Sequence, residues 1–203
     1  MPTATKSRRT QAERTAATRS ALLRAARDLF AERGYAATGR EEIAERAGVT
    51  RGALYHHFDS KADVFTAVVE QLQTELVDRV VAASKPGRTA VEKLRRSCRA
   101  YIDASAEART ARILVDAPAV LGPDVCRAMD AESCVPLLEG VFALASAEGV
   151  ALPGDPQVAA LLVLGMLNEA ATLVASAPVP AAERGRVTRT VEAFLSRVLG
   201  IPA

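Results

Sequence analysis

The chain has 203 residues, of which 49% are hydrophobic, 25% charged and only 4% aromatic, with a formal net charge of +2. That much apolar material fills one or two packed domains and excludes wholesale disorder. About a fifth of the residues are Ala and there is no Trp, a composition that favours helices and excludes an all-β sandwich.

In chain order, residues 1–15 are polar and basic without apolar periodicity, and read as a flexible tail. Its Lys6, Arg8, Arg9 and Arg14 suit a minor groove as well as plain solvent. A helix is expected from Thr18, with Leu22, Ala26, Leu29 and Phe30 at spacings of three and four and Gly34 as its stop. A second helix is expected over Arg40–Ala47, ending at Gly48. A third, very short one runs from Arg51 to about Phe58, with Thr50 as N-cap. Ser60-Lys-Ala-Asp63 resembles a capping box and starts a longer helix whose Val64, Val68, Leu72, Leu76 and Val80 lie four apart. Lys85-Pro-Gly-Arg88 breaks it. Further helices follow over about Thr89–Ala106, Arg109–Ala117 and Pro123–Glu148, the last with an interruption possible at Pro136. Asp155-Pro156 opens the most apolar helix, to about Ala175, and an amphipathic one closes the chain over about Ala181–Leu199. The expectation is an all-α protein of about nine helices. It divides into the tail (1–15), a three-helix domain (16–62, with its motif at 39–58) and a larger helical domain (63–203).

Three cysteines (Cys98, Cys126, Cys134) are too few for a disulfide framework, and two adjacent histidines (His56, His57) leave a metal centre short of ligands. No metal or cofactor is expected. The N-terminus lacks the apolar core of a secretory signal. The most apolar run, Val158–Leu167, is ten residues long, against about 20 for a membrane span. The reading is a soluble protein of a reducing cytoplasm with no membrane partner. No G-x-S-x-G, P-loop or G-x-G-x-x-G pattern is present, which argues against an enzyme.

The charge is uneven. Residues 1–65 hold 12 Lys/Arg against 8 Asp/Glu, and the remainder 14 against 16, so the first third is the part suited to a polyanion. There, Arg40 to Phe58 has the form of two short helices joined by a Gly-containing turn. Ala44 stays small where the second helix crosses, Gly48 supplies the turn, and Ile43, Val49, Leu54 and Phe58 lock the pair. Arg51, Gly52, Ala53, Tyr55, His56 and His57 remain on the second helix, most of them outward. Small, aromatic and basic residues on one helix edge suit a major groove.

The stretch Ala47-Gly-Val-Thr-Arg-Gly-Ala-Leu-Tyr-His-His-Phe-Asp-Ser-Lys61, preceded by Ala-Ala-Arg-Asp-Leu-Phe30 and Arg-Gly-Tyr35, closely resembles the TetR/AcrR family of bacterial transcriptional regulators over about residues 18–68. The later helices resemble that family in number, order and length. The resemblance implies a homodimeric repressor that binds a pseudo-palindromic operator in double-stranded DNA and is released when its C-terminal domain takes up a small molecule. Carried over by position, Thr38 and Thr50 would face phosphate from helix N-termini. Arg51, Gly52, Tyr55 and His56 would face the groove with Ala53 beside them, and Lys61 would reach a flanking phosphate. Gly39-Arg40 departs from the family's usual pair at the start of the second helix, where Arg40 would be a further DNA contact.

For the dimer seam, the last two helices offer Leu161, Leu162, Gly165 and Leu173 on one, and Val187, Val191, Phe194, Leu195 and Val198 on the other, as half of a four-helix bundle. Leu72, Leu76, Tyr101, Ile102, Leu114, Met129, Phe142, Met166 and Asn168 are the expected lining of an effector cavity. With Tyr101 and Asn168 as the polar handles, the expected effector is an apolar or weakly polar organic molecule. Asn168-Glu169 interrupts an apolar helix and needs partners, in the seam, in the cavity or in water. A thiol-based redox sensor without a specific pocket is the alternative reading.

Overall fold

The computed structural model describes residues 10–152, 154–177 and 180–199. Among these there are ten helices and no strand. The chain divides into two compact units, one up to Val68 and one from Val69.

The N-terminal unit begins with α1 (Gln11–Arg33), which starts seven residues before the expected Thr18. Thr10 and Glu13 form the reason: Glu13 N–H donates to Thr10 Oγ1 (3.2 Å) and Thr10 N–H to Glu13 Oε2 (2.7 Å), satisfying two of the four orphan donors of a helix start. Residues 11–15, Arg14 among them, are therefore helical, and Lys6, Arg8 and Arg9 lie outside the described residues. Leu22, Leu23, Ala26, Leu29 and Phe30 form the buried face of α1. Gly34 ends it at φ 81°. α2 (Arg40–Ala47) and α3 (Arg51–His57) follow as expected. Between them Gly48 takes the left-handed conformation (φ 68°, ψ 31°) and returns its N–H to Glu45 O. Ile43, Ala44, Leu54 and Phe58 are buried, and Val49 is half-buried. α4 (Lys61–Ser84) opens on the reciprocal pair Ser60 N–H to Asp63 Oδ2 (2.9 Å) and Asp63 N–H to Ser60 Oγ (3.0 Å). Phe65 from its first turns meets Phe30 edge-on at 5.1 Å and Tyr35 at 5.0 Å.

The C-terminal unit holds the rest of α4 with α5 (Ala90–Ser105), α6 (Ala108–Leu121), α7 (Pro123–Ser133), α8 (Val135–Ala147), α9 (Pro156–Ala175) and α10 (Pro180–Val198). The single helix expected over Pro123–Glu148 is two helices meeting at Cys134. Pro136 has no N–H to give the carbonyl of Glu132, so it fits the first turn of a new helix and not the interior of an old one. The core runs from Leu94, Cys98 and Ile102 of α5 through Leu138 and Phe142 of α8 to Leu164, Leu167 and Val174 of α9, and on to Val187, Val191 and Leu195 of α10.

α9 corrects one expectation. Taken over its 20 residues, it is long and apolar enough to cross a membrane, despite Asn168 and Glu169. Seven of its residues, Ala160, Leu164 and Leu167 among them, are buried in the core of this unit, so its apolar length is used in packing. Its outer face is apolar too: Leu161, Leu162 and Leu173 are exposed, Leu162 by 70%. α10 repeats the pattern, with Phe194 60% exposed and Val198 beside it.

Candidate nucleic-acid interface and effector cavity

In the N-terminal unit the second helix of the pair carries the polar face. Thr50 caps α3 by accepting from Ala53 N–H at 3.2 Å. Arg51, Gly52, Tyr55 and His56 are exposed, while Ala53 and His57 are half-buried. Two of the exposed groups converge on one carboxylate oxygen: Tyr55 O–H donates to Glu41 Oε1 (3.2 Å) and Arg51 Nη2 lies 3.3 Å from it. A backbone N–H at the start of α2, then the Tyr55 hydroxyl, then Arg51 and Arg40 hold the Glu41 carboxyl below the usual carboxylate range. Arg40 stacks its guanidinium 4.5 Å over the Tyr55 ring and donates to Asp59 O (2.9 Å). Arg40 thus braces the tyrosine, and α2 starts cleanly behind Gly39, whose N–H goes to Glu42 Oε2 (2.9 Å). Sequence reasoning missed Glu41; its only signal was a carboxylate in the first turn of α2, equally well explained by the helix dipole.

Gly52 carries a separate message. A Cβ built on it would meet only Thr50 Oγ1, at 3.9 Å. Nothing inside the chain demands glycine there, although glycine in a helix costs about 0.5–1 kcal/mol relative to Ala.

Two expected phosphate contacts have other tasks in this structure. Thr38 is buried, and its hydroxyl donates to Gly34 O (2.9 Å), because it precedes the cap residue of α2 and turns inward. Lys61 Nζ donates to Tyr35 O (2.9 Å) and Thr38 O (3.0 Å) and sits 4.2 Å over the Tyr35 ring. It clamps the loop between α1 and α2. Charged hydrogen bonds are worth about 1.5–3 kcal/mol, so Lys61→Ala should lower stability by about 2 kcal/mol in urea unfolding. A lysine that only met phosphate would leave that midpoint where it is.

In the C-terminal unit a cavity of about 160 Å³ is lined by residues from α4 to α9. Of the nine expected lining residues, Leu76, Tyr101, Leu114, Met129 and Asn168 surround it. Leu72, Ile102 and Phe142 are buried elsewhere, and Met166 packs against the core. Leu72, Ile102 and Met166 are on helices that line the void but on turns that face away from it, whereas Phe142 is on α8, which does not reach it. A smaller apolar cavity, about 80 Å³, adjoins on the far side of Leu76, Tyr101 and Cys134, which line both.

The polar wall of the larger cavity is a connected chain. Tyr101 O–H donates to Asn168 Oδ1, Asn168 Nδ2 to Asp130 Oδ2 (2.9 Å), and Gln73 Nε2 to Asp130 Oδ1 (3.1 Å). Asn168, the polar interruption of α9, thus finds its partner on α7. Burial pushes the Asp130 carboxyl up, against the two amide donors that pull it down. Burial also raises Tyr101, reinforced by the Asp130 carboxylate, with the nearby Ser105 hydroxyl acting the other way. Ser105 itself is buried, and its Oγ completes no hydrogen bond of ordinary geometry.

A short helix pair with an outward basic and aromatic edge, followed by a helical body enclosing a cavity, defines a helix-turn-helix transcriptional regulator. Residues 22–68 match the bacterial regulatory proteins of the tetR family, and residues 91–198 match the tetracyclin repressor-like C-terminal domain. The chain belongs to the TetR family. It is similar over 96% of its length, at 37% identity and a TM-score of 0.82, to the whole of a TetR-family transcriptional regulator from Pectobacterium atrosepticum. RolR, solved with resorcinol, shares the fold at a TM-score of 0.73 and 22% identity, over 95% of this chain and 92% of that one. Among curated proteins, the transcriptional activator FasR of Mycolicibacterium smegmatis is 39% identical over 79 residues, 39% of this chain and 36% of that one. The repressor BepR of Brucella suis is 52% identical over 62 residues, 30% of this chain and 29% of that one. The two curated matches span about a third of those relatives' length.

Proposed function

We propose that the protein is a repressor that binds a pseudo-palindromic operator as a homodimer through α3, and that a small organic effector in the 160 Å³ cavity releases it. The observation that carries the DNA contact is the exposed row Arg51, Gly52, Tyr55, His56, in which Gly52 answers no need of the chain itself. A missing Cβ lets the backbone approach a partner closely, and the neighbours are donors suited to phosphate and base edges. The dimer reading rests on the outer faces of α9 and α10, where Leu161, Leu162, Leu173, Phe194 and Val198 are exposed and Gly165 would admit a Cβ without contact. Val187, Val191 and Leu195, read from the sequence as part of the same seam, are instead buried in the core of their own unit.

The thiol-sensor alternative has less support. Burial raises the pKa of Cys98 to about 12 and moves Cys126 and Cys134 the same way, whereas a reactive thiol needs its thiolate.

Gly52→Ala separates the roles of α3. It should stabilise the free protein by about 0.5–1 kcal/mol while weakening its shift of operator DNA at least tenfold, with the salt dependence of the remaining binding intact. Unchanged operator affinity in this variant would remove α3 from the DNA.

A further inference from the structure

Asp130 has no cationic partner in its cavity. None of the side chains lining the void is Lys, Arg or His. Both carboxylate oxygens accept amide N–H groups, Oδ1 from Gln73 and Oδ2 from Asn168, and Tyr101 steadies the second amide from behind. Gln73, Asn168 and Tyr101 are thus all turned to give protons towards Asp130, the arrangement that suits an ionised carboxylate. Two neutral donors are a thin shell for a half-buried charge. Each oxygen keeps a lone pair that no side chain fills. Ser105, fully buried on the same wall, keeps its hydroxyl unsatisfied as well.

The remaining lining is apolar, supplied by Leu76, Leu114, Met129 and Pro118 among others. A void of about 150 Å³ lined by apolar side chains holds one benzene, and this one measures about 160 Å³. The space is that of a single six-membered ring with a small substituent.

We infer that the cavity takes a compact single-ring molecule carrying an O–H or N–H group that donates to Asp130, and that it excludes anions. The inference rests on the effector reading above and names the ligand class for that site. A donor would complete the shell around the carboxylate, and the ring would fill the apolar part. A ligand carboxylate or phosphate would place a second negative charge beside Asp130 with no cation on the wall to offset either. A bare hydrocarbon would fit the volume but leave Asp130 and Ser105 as they are. The sequence alone suggested an apolar or weakly polar effector; Asp130 shifts the expectation towards a donor.

Four ring compounds of nearly equal shape test this on the full-length protein by titration calorimetry: benzyl alcohol, benzylamine, toluene and benzoate. Hydrogen bonds to a charged group are worth about ten- to a hundredfold in affinity. Benzyl alcohol and benzylamine should bind by that factor more tightly than toluene, and benzoate should give no heat. Asp130→Asn keeps the shape and removes the charge; it should bring benzylamine down to the level of toluene and let benzoate in. Ser105→Ala leaves the charge in place and should weaken both donors by a smaller factor. Thermal unfolding of each variant reports whether the fold is intact. Benzoate or toluene binding as well as the donors would overturn the donor class while leaving the cavity as the effector site. Binding of none of the four at millimolar concentration would overturn both. Donor binding to Asp130→Asn at wild-type strength would show that they sit elsewhere. Operator release is scored separately, so that a compound which binds without releasing DNA counts for the ligand class and against the regulatory reading.

Discussion

Replacing Phe30 with Ala is expected to remove most of the stability of the N-terminal unit. The ring is fully buried at the end of α1, stacked at 5.9 Å on Tyr35 and edge-on at 5.1 Å to Phe65. Burying and then deleting such a side chain costs about 3–5 kcal/mol once the residual cavity is included, with the aromatic pairs contributing about 0.5–1.5 kcal/mol each beyond area. A domain of about 60 residues buries a smaller share of its surface than a large one does and at about 0.05–0.15 kcal/mol per residue holds only about 3–9 kcal/mol in all. The loss therefore falls on the fold of the unit that presents Arg51 and Tyr55. Hydrogen exchange should show the amides of α2 and α3 losing protection in Phe30→Ala, and operator binding should fall with them. Phe30→Leu keeps apolar volume and should lose less. Protection of α2 and α3 at wild-type levels in the alanine variant would refute this account of the aromatic cluster.

The short elements were legible because they are bounded by residues with one physical use. Gly48 at φ 68° and Thr50 at the start of α3 fix the turn, and both were readable as letters. The start of α1 was also written in the chain, as Thr10-Gln-Ala-Glu13, but the first turns of that helix lie exposed and show no apolar periodicity, so a reading by periodicity passed over the cap. The internal bonds of Lys61 and Thr38 were illegible for a different reason. A polar side chain in a sequence does not say whether it points outward or towards a carbonyl 26 or 23 residues away, as Lys61 does. Asp130 was out of reach on the same ground: its partners lie 57 and 38 residues off. Asn168 was the usable clue, since a polar residue in an apolar helix must find a partner.

The stripe of α10 shows the limit of periodicity for an interface. Val187, Val191 and Leu195 repeat at a spacing of four and Phe194 and Val198 repeat beside them, yet the first set is buried within its own unit and the second exposed. An apolar stripe wider than one seam serves two neighbours, and only packing tells which edge serves which. The distinction decides how the dimer is tested. Val191→Asp would bury a charge in the unit's own core and unfold it, which says nothing of assembly. Leu162→Asp with Phe194→Asp alters the two most exposed large apolar side chains and should leave the core, and so the melting of an isolated chain, nearly unchanged. A two-fold seam uses the same patch of both subunits, so the double variant places four carboxylates where apolar surface was to be covered. The double variant is expected to sediment as a monomer at micromolar concentration. With its two recognition helices no longer linked, it should bind the full operator about a hundredfold or more weakly, since that is the scale on which joining two modest sites raises affinity. Binding to a half-site at high protein concentration should survive, because α3 is untouched. A double variant that still sediments as a dimer would move the seam off α9 and α10.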